Sequence, residues 1–144
     1  SSAADETVYF ISGANAPTLA FDSISSAPHK FSVDTYGEAG FALSLAGDFD
    51  LDGYNDVVIA SPFYEASSGV YTGRVFVNLA SSFTYTQNID LANSDYIIYG
   101  TEPNENTGID LDVGDFNGDG LSDLLLPFPH YQNPGKVGVY MGCE

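Results

Sequence analysis

The ten residues Gly47-Asp48-Phe49-Asp50-Leu51-Asp52-Gly53-Tyr54-Asn55-Asp56 return 67 positions later as Gly114-Asp115-Phe116-Asn117-Gly118-Asp119-Gly120-Leu121-Ser122-Asp123. In both copies, carboxylate or amide side chains stand at loop positions 1, 3 and 5, a glycine at 6 and an aspartate at 9. Carboxylates brought that close repel one another. At an effective dielectric of 20, each like-charge pair ~4 Å apart costs ~4 kcal/mol. A hard cation removes the conflict, and calcium suits the spacing because it takes six to eight oxygen ligands in flexible geometry, whereas magnesium demands a strict octahedron and keeps its waters. The first loop is predicted to bind through the side chains of Asp48, Asp50, Asp52 and Asp56 and the Tyr54 carbonyl. The second would use Asp115, Asn117, Asp119 and Asp123 with the Leu121 carbonyl. Gly53 and Gly120 allow the sharp turn. Asn117 leaves the second loop one charge poorer, so weaker binding is expected there. The alternative for a single copy is a metal-free Asp-Gly hairpin turn; two copies in register weigh further against it and favour the cradle. The helix-flanked calcium loop with a bidentate Glu at position 12 is excluded, because Ile59 and Leu126 stand there.

Other features keep the same spacing. The strand-like stretch around Val8 matches the one around Val75, and the pattern comes a third time around Val137; between them, His29 to Val33 matches Tyr96 to Gly100. Val57-Val58-Ile59-Ala60 and Leu124-Leu125-Leu126 are short apolar runs bounded by Asp and by Pro, the signature of strands buried on both faces. Pro62, Pro127 and Pro129 leave no room for helices. Leu43 and Leu45 alternate with Ser44 before the first loop, as Ile109, Leu111 and Val113 alternate with Asp110 and Asp112 before the second. Each loop is therefore expected to join two strands of a hairpin. The stretches 14–28, 61–73, 80–95 and 101–106, rich in Ser, Asn, Pro and Gly, read as surface connections.

The residues Ser44 to Pro62, followed by Gly73-Arg74-Val75-Phe76-Val77, resemble an FG-GAP repeat, the blade unit of the integrin α-subunit β-propeller and of many secreted proteins. The resemblance extends from Thr7 to Gly142. It implies calcium bound in the loop between two strands of a blade. The expected fold is all-β: two four-stranded blades plus an extra leading strand, part of a β-propeller or of an open blade-like assembly. The expected segments are 1–35 (leading strand and connection of a preceding or shared blade), 36–100 (first repeat) and 101–144 (second repeat). The family's Phe-Gly would correspond to Phe41-Ala42 and Thr107-Gly108, with the first repeat one residue short between Phe41 and Gly47. Propellers close with roughly four to eight blades, so the chain is expected to be a fragment of a longer protein or to assemble with further copies of itself. The leading strand would then complete a blade of a neighbouring copy.

With 144 residues, 44% hydrophobic and 14% aromatic, the chain can build a core. Its 20 acidic residues against Lys30, Arg74 and Lys136 give a net charge of −17, which argues against nucleic acid or anionic membrane as partner, since both need basic patches. An acidic, lysine-poor surface together with calcium demand points to an extracellular or cell-surface setting. No apolar run is long enough to span a membrane as a helix. Cys143 stands alone. No catalytic signature is found: His29 and His130 form no zinc-protease pattern, and nucleophile-elbow and phosphate-loop motifs are absent. Asp110 and Asp112 read as solvated strand-edge acids rather than a glycosidase pair. Tyr36, Tyr54, Tyr64, Tyr71 and Tyr131, in or near loops, suit protein or glycan contacts, with core or rim packing the equal alternative for any one of them. The expectation is a non-catalytic, calcium-binding structural or adhesion module. The alternatives are a self-assembling filament or surface-layer subunit, or the accessory propeller of a larger secreted enzyme.

Overall fold

The computed structural model describes residues 6–10, 29–33, 36–82, 88–129 and 135–142. Among them the regular structure is strands and two 3-10 turns, without an α-helix. The centre is a four-stranded antiparallel sheet in the order β3-β4-β7-β9, built from β3 (Leu43–Gly47), β4 (Asp56–Ser61), β7 (Arg74–Asn78) and β9 (Tyr96–Tyr99). Every residue of β4 and β7 is buried. This follows from the apolar run of β4, which has to be covered on both faces. Val57 and Ile59, with Phe76, enter a cluster holding Phe31, Val33 and Leu91. Val58 and Ala60, with Val75 and Val77, enter a second one holding Leu124, Leu126 and Phe128. The central sheet is thus sandwiched between two partial sheets. At about 1.5–3 kcal/mol for each large apolar side chain buried, these two faces hold the fold together.

The first flanking sheet contains β1 (Glu6–Phe10), β2 (His29–Val33) and the three-residue β8 (Asn88–Asp90), in the order β1-β2-β8. The leading strand is therefore paired within its own chain. Its register repeats that of the central sheet at the 67-residue offset: Val8 faces Phe31 as Val75 faces Ile98, and Thr7 faces Ser32 as Arg74 faces Tyr99. The pair β1-β2 is the counterpart of β7-β9. The second flanking sheet contains β10 (Asp112–Gly114), β11 (Asp123–Phe128) and β12 (Lys136–Tyr140). It supplies three of the four strands expected of the second repeat. β11 runs through Pro127 to Phe128, past the proline read as its end. β10 pairs no further than Leu125, so only β12 flanks the strand at Pro127, as an edge position requires.

Two expectations about the repeat boundaries are corrected. Gly108 has φ 90° and Gly40 has φ 96°, each two residues after a left-handed Asn106 or Glu38. A Cβ on Gly108 would lie 2.9 Å from a methyl of Val75, and one on Gly40 would lie 2.8 Å from the equivalent methyl of Val8. The turn bonds match as well, Ile109 N–H to Asn106 O at 3.0 Å and Phe41 N–H to Glu38 O at 3.1 Å. The glycine of the first repeat is therefore Gly40, and not position 42. Measured from there to Gly47, the first repeat is one residue longer than the second. The surplus is taken up by a bulge in β3, where the register shifts between Ser44 and Gly47.

Two stretches read as plain connections hold structure. Residues 61–73 contain the small hairpin of β5 (Glu65–Ser67) and β6 (Val70–Tyr71). Residues 80–95 contain β8 and the 3-10 turn Leu91–Asn93, whose Leu91 is completely buried. Arg74 is buried at the base of the β5-β6 hairpin with its guanidinium 4.0 Å from the Tyr64 ring centre, so Tyr64 is a packing residue. Tyr36 and Tyr54 are exposed.

Candidate metal centre

Both acidic loops close antiparallel hairpins, β3-β4 and β10-β11, with Gly47 opposite Asp56 and Gly114 opposite Asp123. Most of their hydrogen bonds coincide position by position. The carboxylate at position 1 accepts the N–H groups of positions 5 and 6: Asp48 from Asp52 and Gly53, both at 3.1 Å, and Asp115 from Asp119 at 3.1 Å and Gly120 at 2.9 Å; Asp115 accepts a third from Gly118 at 2.6 Å. The oxygen at position 3 accepts from position 5, Asp50 from Asp52 at 3.3 Å and Asn117 from Asp119 at 2.9 Å. That at position 5 accepts from position 7, Asp52 from Tyr54 and Asp119 from Leu121, both at 2.8 Å. Each acceptor binds the N–H two to five residues ahead, which turns the backbone inward around the side-chain oxygens.

Asp56 and Asp123, at position 9, are fully buried. Each uses both oxygens to tie its hairpin together. Asp56 accepts from Phe49 and Ala80 at 2.7 Å, and Asp123 from Phe116 at 2.9 Å and Gly142 at 3.0 Å. This tethering of the loop to the end of β7 or β12 was not visible in the sequence, where the residue appeared only as a ligand. Burial raises the Asp56 carboxyl above its ordinary pKa; the two N–H groups oppose this, and the charges of Asp50 and Asp48 add to it.

In the first loop the structure brings together Asp48, Asp50 and Asp56, each with one carboxylate oxygen within 4.8 Å of the others. Oxygens bound to one calcium at 2.3–2.6 Å lie up to about 5 Å apart, so this triad fits a calcium ion. The basic residues Lys30, Arg74 and Lys136 sit in β2, β7 and β12, outside both loops. Asp52 stands outside the triad. The second loop forms no comparable group of three carboxylates among the described residues: Asn117 occupies position 3, and its amide N–H₂ donates to Asp119 at 2.7 Å.

Two residues that the sequence reading treated as ordinary loop hold the first loop in place. Ser81 Oγ donates to Asp50 Oδ2 at 2.5 Å. Ser122 Oγ, from the second loop, accepts the Asp48 N–H at 3.1 Å, so the two loops are neighbours. Position 4 was also missed. Leu51 is left-handed, φ 57°, where the second loop has Gly118 at φ 81°. Asp110 and Asp112 are exposed, and each accepts the N–H of the following residue.

The sequence pattern of the FG-GAP repeat matches residues 39–77 and 107–140, together half of the chain. The chain belongs to the FG-GAP repeat family. The two FG-GAP matches begin 68 residues apart, the offset of Gly40 and Gly108, which agrees with the corrected alignment. Among curated proteins, phosphatidylinositol-glycan-specific phospholipase D of Mus musculus is 31% identical over 140 residues, covering 93% of this chain and 16% of that protein. Integrin alpha-PS2 of Drosophila melanogaster is 32% identical over 119 residues, 81% of this chain and 7% of its own length. Integrin alpha-7 of Homo sapiens is 31% identical over 113 residues, 74% and 9% respectively. The chain thus spans less than a fifth of the length of these relatives. Among the described residues, no helix is long and apolar enough to cross a membrane.

Proposed function

We propose that this chain is a calcium-braced, non-catalytic structural or adhesion module working outside the cell, with one ion in each FG-GAP loop. The observation that carries the reading is the carboxylate triad Asp48, Asp50 and Asp56, set in a loop whose hydrogen bonds recur in a second copy. Asp52 and the Tyr54 carbonyl complete the first ligand set. Asp115, Asn117, Asp119, Asp123 and the Leu121 carbonyl form the second. Bound calcium neutralises the crowded carboxylates and stiffens the hairpins beside the two cores; no bond is made or broken. The net charge of −17 suits calcium-rich, saline surroundings. An integrin-like module engages protein or glycan ligands, and the exposed Tyr36 and Tyr54 are contact residues of the kind such surfaces use.

The test is a thermal melt with calcium and with chelator, alongside a calorimetric calcium titration. Calcium should raise the melting temperature and bind at two sites, the first loop more tightly than the Asn117 loop. An identical melt in chelator, with no heat of binding, overturns the reading.

A second reading, that the blades are one part of a larger ring or assembly, is favoured by the exposed face of the C-terminal sheet. Val137 and Val139, 61% and 43% exposed, stand where the central sheet has the buried Val75 and Val77. By contrast, the first flanking sheet presents Tyr9 and Lys30 at the positions of Phe76 and Ile97. The molecule is therefore polar at one end and apolar at the other. Native mass determination separates an assembling subunit from a single module, and the match to a phospholipase D makes an accessory role beside an enzyme domain the remaining alternative.

A further inference from the structure

The stretch between β7 and β9 leaves its own sheet and covers the edge of the preceding one. β8 lies parallel to β2, with Lys30 opposite Asn88, Phe31 opposite Ile89 and Ser32 opposite Asp90. Immediately after it, Leu91 is inserted, with no exposed surface, into the cluster of Phe31 and Val57, against which Phe10 and Ile89 also pack. Asp90 caps the following turn by accepting the Ala92 N–H at 2.9 Å. The segment is thus a strand of three residues ending in an apolar plug.

The repeat carries these positions to the next sheet boundary. Lys30, Phe31 and Ser32 correspond to Ile97, Ile98 and Tyr99 of β9, whose only partner among the described residues is β7. Phe10, Phe31 and Val57, which surround the Leu91 plug, correspond to Val77, Ile98 and Leu124. Those three residues line a cleft of about 240 Å³, together with Tyr96, Tyr140 and Met141. The same wall is therefore plugged by leucine at one boundary and open at the other.

We propose that the free edge of β9 and this cleft form a docking site for an extended segment of the β8 type. Such a segment runs parallel to β9, opposite Ile97 to Tyr99, and carries two apolar residues two positions apart. The first packs on the outer strand, as Ile89 does, and the second fills the cleft, as Leu91 does. Backbone pairing supplies the direction and the two side chains supply the selectivity. The cleft borders the first acidic loop, since Phe49 and Asp50 also line it, whereas the pairing edge of β9 contains none of the loops' ligands; the proposal does not rest on the calcium reading, and its test is run at one fixed calcium concentration.

The repeat also defines the test. Lys136 to Tyr140 corresponds to Arg74 to Asn78, so a copy of residues 83–95 placed directly after Glu144 falls in step with the original. Amide hydrogen exchange is followed by NMR in the full chain, in the extended chain, and in an extended chain whose added Ile and Leu are both changed to Asp. The extension should slow exchange at the outward-facing amides of Ile97 to Tyr99 on the order of tenfold, as closing a frayed edge does, and the Asp version should return them to the rate of the unextended chain. Protection of Lys30 to Ser32, already covered by β8, should be the same in all three and reports that the fold is intact. Unchanged exchange in β9 on extension, or equal protection by the Asp version, overturns the proposal.

Discussion

Gly108→Ala tests how closely the turn ahead of β10 is fitted against the central sheet. A Cβ at this position would lie 2.8 Å from the Cβ of Ala60, 2.9 Å from a methyl of Val75 and 3.3 Å from the Arg74 carbonyl oxygen. Carbon pairs are comfortable at about 3.5–4.0 Å, so two contacts overlap heavily, and both are with residues of the buried β4-β7 pair. The substitution carries two costs. The backbone, at φ 90°, disfavours any L side chain by about 1–2 kcal/mol. Overpacking adds about 1–3 kcal/mol. Gly69→Ala isolates the first term, because Gly69 has φ 74° and a Cβ there meets nothing within 4 Å. Gly69→Ala should therefore cost about 1 kcal/mol after the offsetting loss of unfolded-chain entropy, and Gly108→Ala about 2–4 kcal/mol. Urea unfolding of both variants in saturating calcium gives the difference directly, and at roughly 4 °C per kcal/mol thermal melts should separate them as well. Equal losses at the two glycines would refute the argument that close approach, rather than backbone conformation, is what requires glycine at 108.

Leu51→Gly should stabilise the metal-free chain by up to about 1 kcal/mol, since Leu51 is left-handed at φ 57° and 56% exposed and so gives up little packing; Leu51→Ala keeps the unfavourable φ and should show no such gain in urea titrations with chelator. At Glu105, buried to 1% exposure, one carboxylate oxygen accepts the N–H groups of Thr101 at 2.6 Å and Glu102 at 3.1 Å, while the other faces Lys136 at 3.3 Å. Gln preserves the acceptor and loses only an ion pair whose lysine is 40% exposed, so Glu105→Gln should cost under about 1 kcal/mol. Glu105→Ala strips both N–H groups of their partner and should cost about 1–3 kcal/mol; a Gln variant as unstable as the Ala variant in the same urea assay would mean that the charge, and not the acceptor, holds the 101–105 turn.

The hairpins were legible in the sequence because their determinants are local. Acceptors at alternate positions fold the loop around themselves, and the doubly buried β4 announces itself as an unbroken apolar run, although the similar run of β11 is fully buried on one face only, with Leu125 and Pro127 partly exposed on the other. The repeat offset carried the reading further than single motifs could, since it alone matched His29 to Val33 with Tyr96 to Gly100. It failed where identity of letters parted from identity of place. Phe41 drew the repeat boundary two residues too far along, because the constraint there is on backbone conformation and on approach to Val8, neither of which a phenylalanine reports. β8 was missed for a different reason. Three residues are too few to show alternation, and Ile89 and Leu91 become a strand and a plug only against the edge of β2, some sixty residues away in the chain. Cys143, His130, Tyr131 and the stretch 14–28 lie outside the described residues. The acidic loops changed in kind. Read as ligand sets, they were independent of one another and of the strands around them. Folded, Asp56 and Asp123 spend both oxygens on backbone N–H groups, and Ser122 of one loop bonds to Asp48 of the other. A cation held there would act on the ends of β7 and β12 as well as on its own hairpin, so the order it brings reaches the residues that wall the open cleft.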